Sequence, residues 1–380
     1  MAEVNLNILE VLFSRDWGST ETNACRFSRD FIRLGHKVHM VTLPNSLVEA
    51  WCKQYDVPYT AMRPFSKFID PVNALKIASL ARMHRCDVLH VHRVSDVATV
   101  GLAKKMLKNC SMVLTQHTTG RYPVKSFICR RLYRRIDMIV AAAELIRKNL
   151  LNANAVKHGQ IISILNGIDT EALMPQKKGE FRDRFEIPRR SVVVGLFGIF
   201  NRPNSQQHLI RAASAVLDKF DNAYVLVAGK DPENRSESEN LAELRRTISG
   251  QNREDRFRFT GYIGEIEELL PVFNLVVFQS SGNSSGMTIL KSMAMGIPVV
   301  AAHSGMSRDI IDEGINGVFF EPDSPDDLQE KVIGLLTDRV FLARIGRRAR
   351  KKVCDEYNIQ KKLIEYERLF FNLKTPVFAR

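Results

Sequence analysis

The sequence predicts an α/β protein with two doubly wound, Rossmann-like domains that face a central cleft. Short β-branched segments alternate with amphipathic segments of helical period along nearly the whole chain, which is typical of βαβ units in a parallel sheet. A polar, proline-bounded stretch, residues 174–190, interrupts this alternation near the middle. The length of 380 residues also fits about two domains.

The first half of the chain begins with a strand and an amphipathic helix. The helix is predicted over residues 21–34, because apolar residues recur there on one helical face. These residues are Ala24, Phe27, Phe31 and Leu34. The predicted strands of this half are residues 6–13, 37–43, 87–92, 111–117 and 136–141.

The second half repeats the pattern after the polar stretch. Its predicted strands are residues 191–200, 224–228, 256–259, 275–278 and 298–302, and its predicted helices include 205–217, 241–248 and 266–270. The predicted domains are therefore 1–175 and 190–355. Ligands of such sheets bind beyond the carboxyl ends of the strands, so the cleft between the domains is the expected site.

Composition and charge limit the classes of function. Apolar residues make up 45% and charged residues 26% of the chain, which excludes a disordered protein. The 55 basic and 42 acidic residues leave a net charge of +13, which favours an anionic partner: nucleic acid, a membrane surface or a phosphorylated substrate. Nucleic acid is not expected, because the chain carries no RNP, zinc-finger or helix-turn-helix pattern.

The cysteines and the N-terminus predict a cytoplasmic protein. The six cysteines stand apart, without a CxxC or CxxH spacing, so no metal site is predicted and the scattered thiols fit a reducing compartment. The first residues lack the basic region of a signal peptide. No apolar stretch approaches the roughly 18 residues that span a bilayer, so any membrane contact is predicted to be peripheral.

Two polar segments follow predicted strands of the first domain. The loop 18–21 opens the first helix, where the N-terminus attracts anions, although by itself it favours a plain βα turn capped by Ser19. His117 ends a strand, where it could donate to a substrate hydroxyl, organise the site or be a hydrogen-bonded structural residue. His90 and His92 are interpreted as histidines of the sheet.

A basic stretch, residues 121–135 (RYPVKSFICRRLYRR), predicts an amphipathic helix. Its apolar residues recur at helical spacing, and its arginines could rest on anionic lipid headgroups. A solvated basic face whose apolar side packs on the core fits the pattern equally well.

Residues 275–298 predict a phosphate-binding site. A strand runs into a Gly/Ser-rich turn and then into a helix that begins near Met287. The backbone N–H groups of Gly286, Met287 and Thr288 would form a metal-free cradle for a diphosphate. A simple helix cap needs fewer glycines and small polar residues than this turn contains.

Several of these segments resemble the nucleotide-sugar glycosyltransferases of family 4, which have the GT-B fold. The similarity covers nearly the whole length, with the motifs in the same order. The matching segments are 18–21 with the following RLGHKVHMVT, 87–92 (DVLHVH), 165–170 with Pro175, 259–262, 295–301 and 312–317. The resemblance, together with an amphipathic pattern at the C-terminus, implies that a final segment, 356–380, crosses back to the N-terminal domain.

The resemblance also implies which residues bind each substrate. His117 and Asn283 are the catalytic candidates. The expected acceptor-binding residues are Gly18, Ser19, Thr20 and Glu21. The expected donor-binding residues are Gly198, Arg202, Gly261, Tyr262, Gly286, Met287, Thr288 and Lys291.

Four charged positions of the family pattern are replaced in this chain. Asn283 and Lys291 stand where the family has two glutamates eight positions apart, and Ile199 and Asn204 stand where it has an arginine and a lysine. Asn283 keeps one acceptor oxygen for a sugar hydroxyl. Arg202 could supply the missing guanidinium, and Lys291 could turn toward a phosphate.

The resemblance implies transfer of a sugar from a nucleotide diphosphate sugar to a hydroxyl acceptor, of which a lipid-linked acceptor is one option. It further implies retention of anomeric configuration, no metal, no cofactor, and a role in cell-surface polysaccharide or lipopolysaccharide synthesis. The expected location is the cytoplasm, with peripheral attachment to the inner face of the plasma membrane as an option. The alternative is a binding or partner subunit that has lost donor chemistry; the preserved loops and Arg202 favour the enzyme. A nucleotide-sugar epimerase fits the motifs less well.

Overall fold

The computed structural model describes residues 5–66, 69–118, 131–175, 182–198, 203–228, 245–246, 248–249, 254–260, 266–279, 286–322 and 324–374. Contacts between Cα atoms divide the chain into two compact units: Met1–Gly167 with Ile359–Arg380, and Ile168–Asn358. No helix in the described part of the chain has the length and apolar character to cross a membrane.

The first unit is built on one parallel sheet with intervening helices. Its strands are β1 Asn7–Leu12, β2 Lys37–Thr42, β3 Tyr59–Ala61, β4 Val88–Val91, β5 Ser111–Gln116, β6 Met138–Ala141 and β7 Ile161–Ser163. Its first helices are α1 Ser19–Arg33, α2 Leu47–Gln54, α3 Pro71–Met83, α4 Val97–Lys104 and α5 Glu144–Asn152. The strand order β3-β2-β1-β4-β5-β6-β7 reverses between β1 and β4, as in a doubly wound fold.

Apolar periodicity explains how α1 packs on this sheet. Ala24, Phe27 and Phe31 are buried, as the 3.6-residue spacing predicted. Leu34 was expected on the same face, but it lies just beyond the last helical residue and is exposed. The short strands β3 and β7 were not predicted, because three residues are too few to show a period.

The second unit is a parallel sheet of the same kind. Its strands are β8 Val192–Gly198, β9 Ala223–Ala228, β10 Phe257–Phe259, β11 Leu275–Gln279, β12 Val299–Ala302 and β13 Val318–Phe320. Its helices include α6 Pro203–Lys219, α7 Met287–Ala294, α8 Ser307–Ile310, α9 Pro325–Thr337 and α10 Arg339–Glu356. The order β10-β9-β8-β11-β12-β13 reverses between β8 and β11. The predicted pair of doubly wound, Rossmann-like sheets is confirmed.

One predicted helix of the second unit is wrong. Residues 266–270 do not form an α-helix; two single 3₁₀ turns, Ile266–Glu268 and Leu270–Val272, occupy the region. Pro271 lies inside the second turn, and its missing N–H cannot continue an α-helical ladder.

The division between the units falls at Gly167, before the predicted boundary at 174–190. Residues after Gly167 pack with the second unit, because the Arg350 guanidinium donates to the Leu173 carbonyl at 2.8 Å and the Ile168 N–H donates to the Tyr357 carbonyl at 2.7 Å. The polar composition of 174–190 therefore marks a surface segment of the second unit and not its start.

The last helix, α11 Ile359–Lys374, belongs to the first unit. Leu363, Tyr366 and Phe370 lie in one buried cluster with Leu6 and residues of α1. The chain reaches this helix beside Gly167, where a Cβ atom would lie 2.8 Å from the Ile359 Cα atom, so glycine allows the close approach.

Candidate functional site

A buried polar network crosses the middle of the first sheet. Glu10 on β1 pairs in register with His90 on β4, and its carboxylate accepts from Nδ1 of His90 at 2.8 Å and from Nε2 of His92 at 2.6 Å. His90 continues to the Thr115 hydroxyl at 2.8 Å, and His92 continues to Nε2 of His117 at 3.1 Å. Alternation along a strand places residues 90 and 92 on the same face, which lets one carboxylate serve both rings.

Electrostatics sets the charge state of this network. Burial raises the pKa of Glu10, but the two histidines outweigh it and hold that pKa below its ordinary value. Burial lowers the pKa of His90, and burial with the neighbouring rings of His92 and His90 lowers the pKa of His117 well below its ordinary range. The carboxylate therefore carries the charge, and His90 and His117 are neutral at pH 7.

Three members of the network could chemically hold a metal. One ligand atom each from Glu10, His90 and His92 lie within 4.8 Å of one another in the described structure, and zinc accepts such a set. Each histidine nitrogen that faces the carboxylate is engaged with it, so a cation would have to displace both protons. The metal-free site remains a prediction.

A small cavity of about 40 Å³ adjoins the network at the carboxyl edge of the sheet. Its wall includes His92, His117 and Asn166, together with Asn23 and Arg26 of α1 and Ile359, Lys362 and Tyr366 of α11. His117 is only 5% exposed. Its Nδ1 atom and Nδ2 of Asn166 are buried without a hydrogen-bond partner of good geometry among the described residues.

A larger cavity, about 450 Å³, lies where the order of the first sheet reverses. Phe13 follows β1 and Arg93 follows β4, and Nη1 of Arg93 donates to the Phe13 carbonyl at 3.0 Å. Asp96 accepts from the Phe13 N–H at 3.1 Å, and burial raises the pKa of its carboxyl to about 6. Phe65, Asp70 and Thr99 complete much of the wall. The sequence offered no motif that singled out these residues.

The loop 18–21 forms the start of α1. Gly18 is the N-cap, and its N–H donates to the Glu21 carboxylate at 3.0 Å. Ser19, expected as the cap, is instead the first helical residue. Glu21 is buried and Ser19 and Thr20 are half-buried. Acceptor binding by these residues remains a prediction.

In the second unit, Gly286 begins α7 as predicted for the diphosphate cradle. Its φ is +68°, in the left-handed region, and a Cβ atom there would lie 2.5 Å from Cδ1 of Ile310. Met287 and Thr288 are the first two residues of the helix and are half-buried. The backbone thus requires glycine where the chain turns into the helix.

Lys291 has a partner that the sequence did not suggest. Its Nζ atom lies 2.6 Å from Oε1 of Glu267, and the two side chains are 15% and 22% exposed. The expectation that only a bound anion would compensate the ammonium is therefore wrong, because the 3₁₀ turn before β11 brings a carboxylate to it.

Other predicted site residues have no described side-chain environment. Arg202, Gly261, Tyr262 and Asn283 lie outside the described residues, and Gly198 is seen only as the last residue of β8. Of the basic stretch, residues 121–130 lie outside them as well. At its described end Arg131 and Arg134 are exposed while Tyr133 is buried.

Two family models match the chain, one over each unit. The model described as Glycosyltransferase Family 4 matches residues 20–172, and the model described as Glycosyl transferases group 1 matches residues 191–338. Together they span both sheets in the order that the motifs predicted.

Three known proteins illustrate the similarity. The chain is 24% identical over 355 residues to N-acetyl-alpha-D-glucosaminyl L-malate synthase of Bacillus anthracis, covering 89% of this chain and 90% of that protein. It is 24% identical over 314 residues to the O-antigen biosynthesis glycosyltransferase WclY of Escherichia coli, covering 79% and 83%. The crystal structure of Anabaena Alr3699/HepE in complex with UDP has a TM-score of 0.80 at 16% identity, covering 97% of this chain and all of that one (100%).

Proposed function

Because the chain belongs to the family-4-like glycosyltransferases of the GT-B fold, we propose that it transfers a sugar from a nucleotide diphosphate sugar to a hydroxyl acceptor. The observation that carries this proposal is that the two family models match in order, each over the sheet of one unit. The Anabaena protein of the same fold was crystallised with UDP, which supports a uridine nucleotide as the first donor to test.

The donor side of the proposed site is in the second unit. The N–H groups at the start of α7, on Gly286, Met287 and Thr288, would face the diphosphate, since a helix N-terminus attracts phosphate. Lys291 holds Glu267 at 2.6 Å, so a carboxylate is present beside the position where family members carry a glutamate. In this proposal Glu267 takes ribose hydroxyls, and Lys291 orients it.

Residues without a described environment complete the donor side. Arg202 would neutralise the leaving diphosphate, because a guanidinium can bind two phosphate oxygens at once. Asn283 would accept from a sugar hydroxyl. Gly198, Gly261 and Tyr262 would bring backbone close to the nucleotide.

The acceptor side would use the first unit. The cavity of about 450 Å³ at Phe13 and Arg93 lies at the reversal of strand order, where ligands of doubly wound sheets bind. Arg93 offers guanidinium donors and Asp96 a carboxylate, which suits a ligand rich in hydroxyl groups. The loop that ends at Glu21 follows the same strand, β1.

The proposed reaction retains the anomeric configuration and needs no metal. The bond between the anomeric carbon and the diphosphate oxygen breaks, and a bond from that carbon to the acceptor oxygen forms on the same face of the sugar. The hydroxyl proton passes to an oxygen of the departing diphosphate. Donor groups at the start of α7 stabilise the charge that develops there.

A role in cell-surface polysaccharide or lipopolysaccharide synthesis is part of the proposal. The Escherichia coli relative is named for O-antigen biosynthesis. The exposed Arg131 and Arg134 would place the chain on an anionic membrane surface, where such acceptors are lipid-linked, with each basic residue adding about 1 kcal/mol.

A binding and turnover screen tests the proposed function. The full chain is melted in the presence of UDP, GDP, ADP and their sugar conjugates, and donors that stabilise it are assayed for transfer to hydroxyl acceptors. A donor at 100 times its dissociation constant should add about 2.7 kcal/mol of stability. Binding of no nucleotide sugar at millimolar concentration contradicts the proposal and favours a non-catalytic subunit.

A further inference from the structure

The network at Glu10 is directional. The carboxylate accepts at both oxygens, from His90 at 2.8 Å and from His92 at 2.6 Å. Because a carboxylate has no proton to give when ionised, both histidine nitrogens that face it carry the protons. Every further bond of the network follows from this first assignment.

The protonation of His92 decides that of His117. With its proton on Nε2, neutral His92 has only a lone pair on Nδ1, and that atom lies 3.1 Å from Nε2 of His117. A hydrogen bond between them needs the proton on Nε2 of His117. The remaining nitrogen of His117, Nδ1, is then an acceptor.

The second arm of the network runs the same way. His90 donates from Nδ1 to Glu10, so its Nε2 accepts from the Thr115 hydroxyl at 2.8 Å. The Thr115 oxygen in turn lies 3.1 Å from the Tyr366 hydroxyl, which can donate to it. Both arms therefore have their donors directed toward the one buried carboxylate.

The cavity beside His117 has matching polar atoms. Nδ1 of His117 is an acceptor by the argument above, and Nδ2 of Asn166 is a donor. Both are buried and lack a partner of good geometry among the described residues, and both residues line the space of about 40 Å³. One oxygen atom fits there, since a water occupies about 30 Å³, and a hydroxyl group can donate to one atom while it accepts from the other.

We propose that Glu10, acting through His92, holds His117 in the tautomer protonated at Nε2, so that His117 and Asn166 together bind one hydroxyl group in this cavity. Glu10 and His92 are positioning residues, and His117 is the residue that touches the ligand. The hydroxyl belongs to water or to the sugar substrate. The substrate option rests on the proposed function, whereas the tautomer does not.

The tautomer is measured by long-range ¹H–¹⁵N correlation on full-length protein labelled at histidine, since the two nitrogens of a neutral ring have distinct shifts in each form. At pH 7 His117 is expected to be neutral and protonated at Nε2. Replacement His92→Phe removes the acceptor of that proton and should move His117 toward the Nδ1 form. Protonation at Nδ1, or an imidazolium, in the unmodified protein overturns the proposal.

Two further variants separate the directional effect from general damage to the core. In Glu10→Gln the carboxamide can accept from only one of two rings, so either His90 or His92 must change tautomer. The matched control Thr115→Val removes the hydroxyl at the far end of the other arm and should leave all three rings in their original forms. Unchanged tautomers in Glu10→Gln contradict the proposed control by the carboxylate.

A high-resolution crystal structure, with and without UDP-glucose, identifies the occupant of the cavity. An oxygen atom within about 3.2 Å of both nitrogens is expected. A water in both crystals assigns the site to solvent, and a sugar oxygen in the complex assigns it to substrate. An empty cavity, or a metal bound by Glu10, His90 and His92, overturns the inference without affecting the nucleotide-binding test of the proposed function.

Discussion

Nζ of Lys291 on α7 lies 2.6 Å from Oε1 of Glu267 in the 3₁₀ turn before β11. The two side chains are mostly buried, so the pair joins the start of β11 to the helix whose N-terminus is the proposed phosphate cradle. A cation at position 291 is thus compensated within the unit.

Charge reversal tests this pair. Lys291→Glu places two carboxylates together and should reduce both stability and nucleoside diphosphate affinity, and Glu267→Lys should do the same with two ammonium groups. The double swap should recover part of the loss, with a coupling free energy of about 1–3 kcal/mol. Urea unfolding and calorimetric titration with UDP measure the two effects. Additive losses in the double variant exclude a functional pair.

Gly286→Ala should destabilise the second unit. An alanine in the left-handed region costs about 1–2 kcal/mol, and its Cβ would also meet Ile310. Gly314→Ala is the matched control, because Gly314 has the same φ of +68° but open space around it. Thermal unfolding should show the larger loss at 286, with partial recovery when Ile310→Val removes the clashing methyl. Equal losses at 286 and 314 would show that the steric contact is unimportant.

Asp96 should make stability depend on pH. Burial raises the pKa of its carboxyl from the ordinary 3.8 to about 6, so the folded chain holds a proton that the unfolded chain releases between about pH 4 and pH 6. Stability from this group is present below pH 4 and is lost as pH rises to about 6, by about 3 kcal/mol. Urea unfolding of the parent and of Asp96→Asn at pH 4.5 and 7 measures the difference. A gap between the two proteins that does not change with pH refutes this assignment.

Phe370→Ala should show that α11 stabilises the first unit. The ring is fully buried against Phe27 and Phe31, and loss of such a side chain costs about 3–5 kcal/mol. Ile364→Ala on the same helix is the control, because Ile364 is exposed and its loss should cost about 0.5 kcal/mol or less. Denaturation followed by hydrogen exchange should place the loss in the first unit. A loss confined to the second unit would contradict the packing of α11.

Reversal of Arg131 and Arg134 to glutamate should weaken binding to anionic vesicles. Both side chains are exposed, and their attraction to lipid should fall as salt shortens the Debye length from about 10 Å at 0.1 M. Arg347→Glu with Arg348→Glu on α10 makes the same charge change in the other unit and serves as the control. Co-sedimentation with vesicles of phosphatidylglycerol measures binding. An equal effect of both pairs would indicate a response to net charge alone.

Local pattern was sufficient for the architecture. The alternation of β-branched strands with amphipathic helices depends on neighbours in the chain, so the paired doubly wound sheets and the buried face of α1 at Phe27 and Phe31 could be predicted. The left-handed glycine before α7 was also readable, because Gly286 follows a turn rich in glycine and serine and precedes a helical pattern.

The sequence by itself thus determined the fold class, the family and the positions of the loops that follow the strands. Only the tertiary structure decided which side chains meet: Glu10 with His90 and His92, Lys291 with Glu267, and Arg93 with Phe13. These partners are separated by 24 to 82 residues, and no local period relates them. They come together because parallel strands align their carboxyl ends at one edge, where hydrogen bonds and charge compensation, rather than sequence spacing, select the contacts.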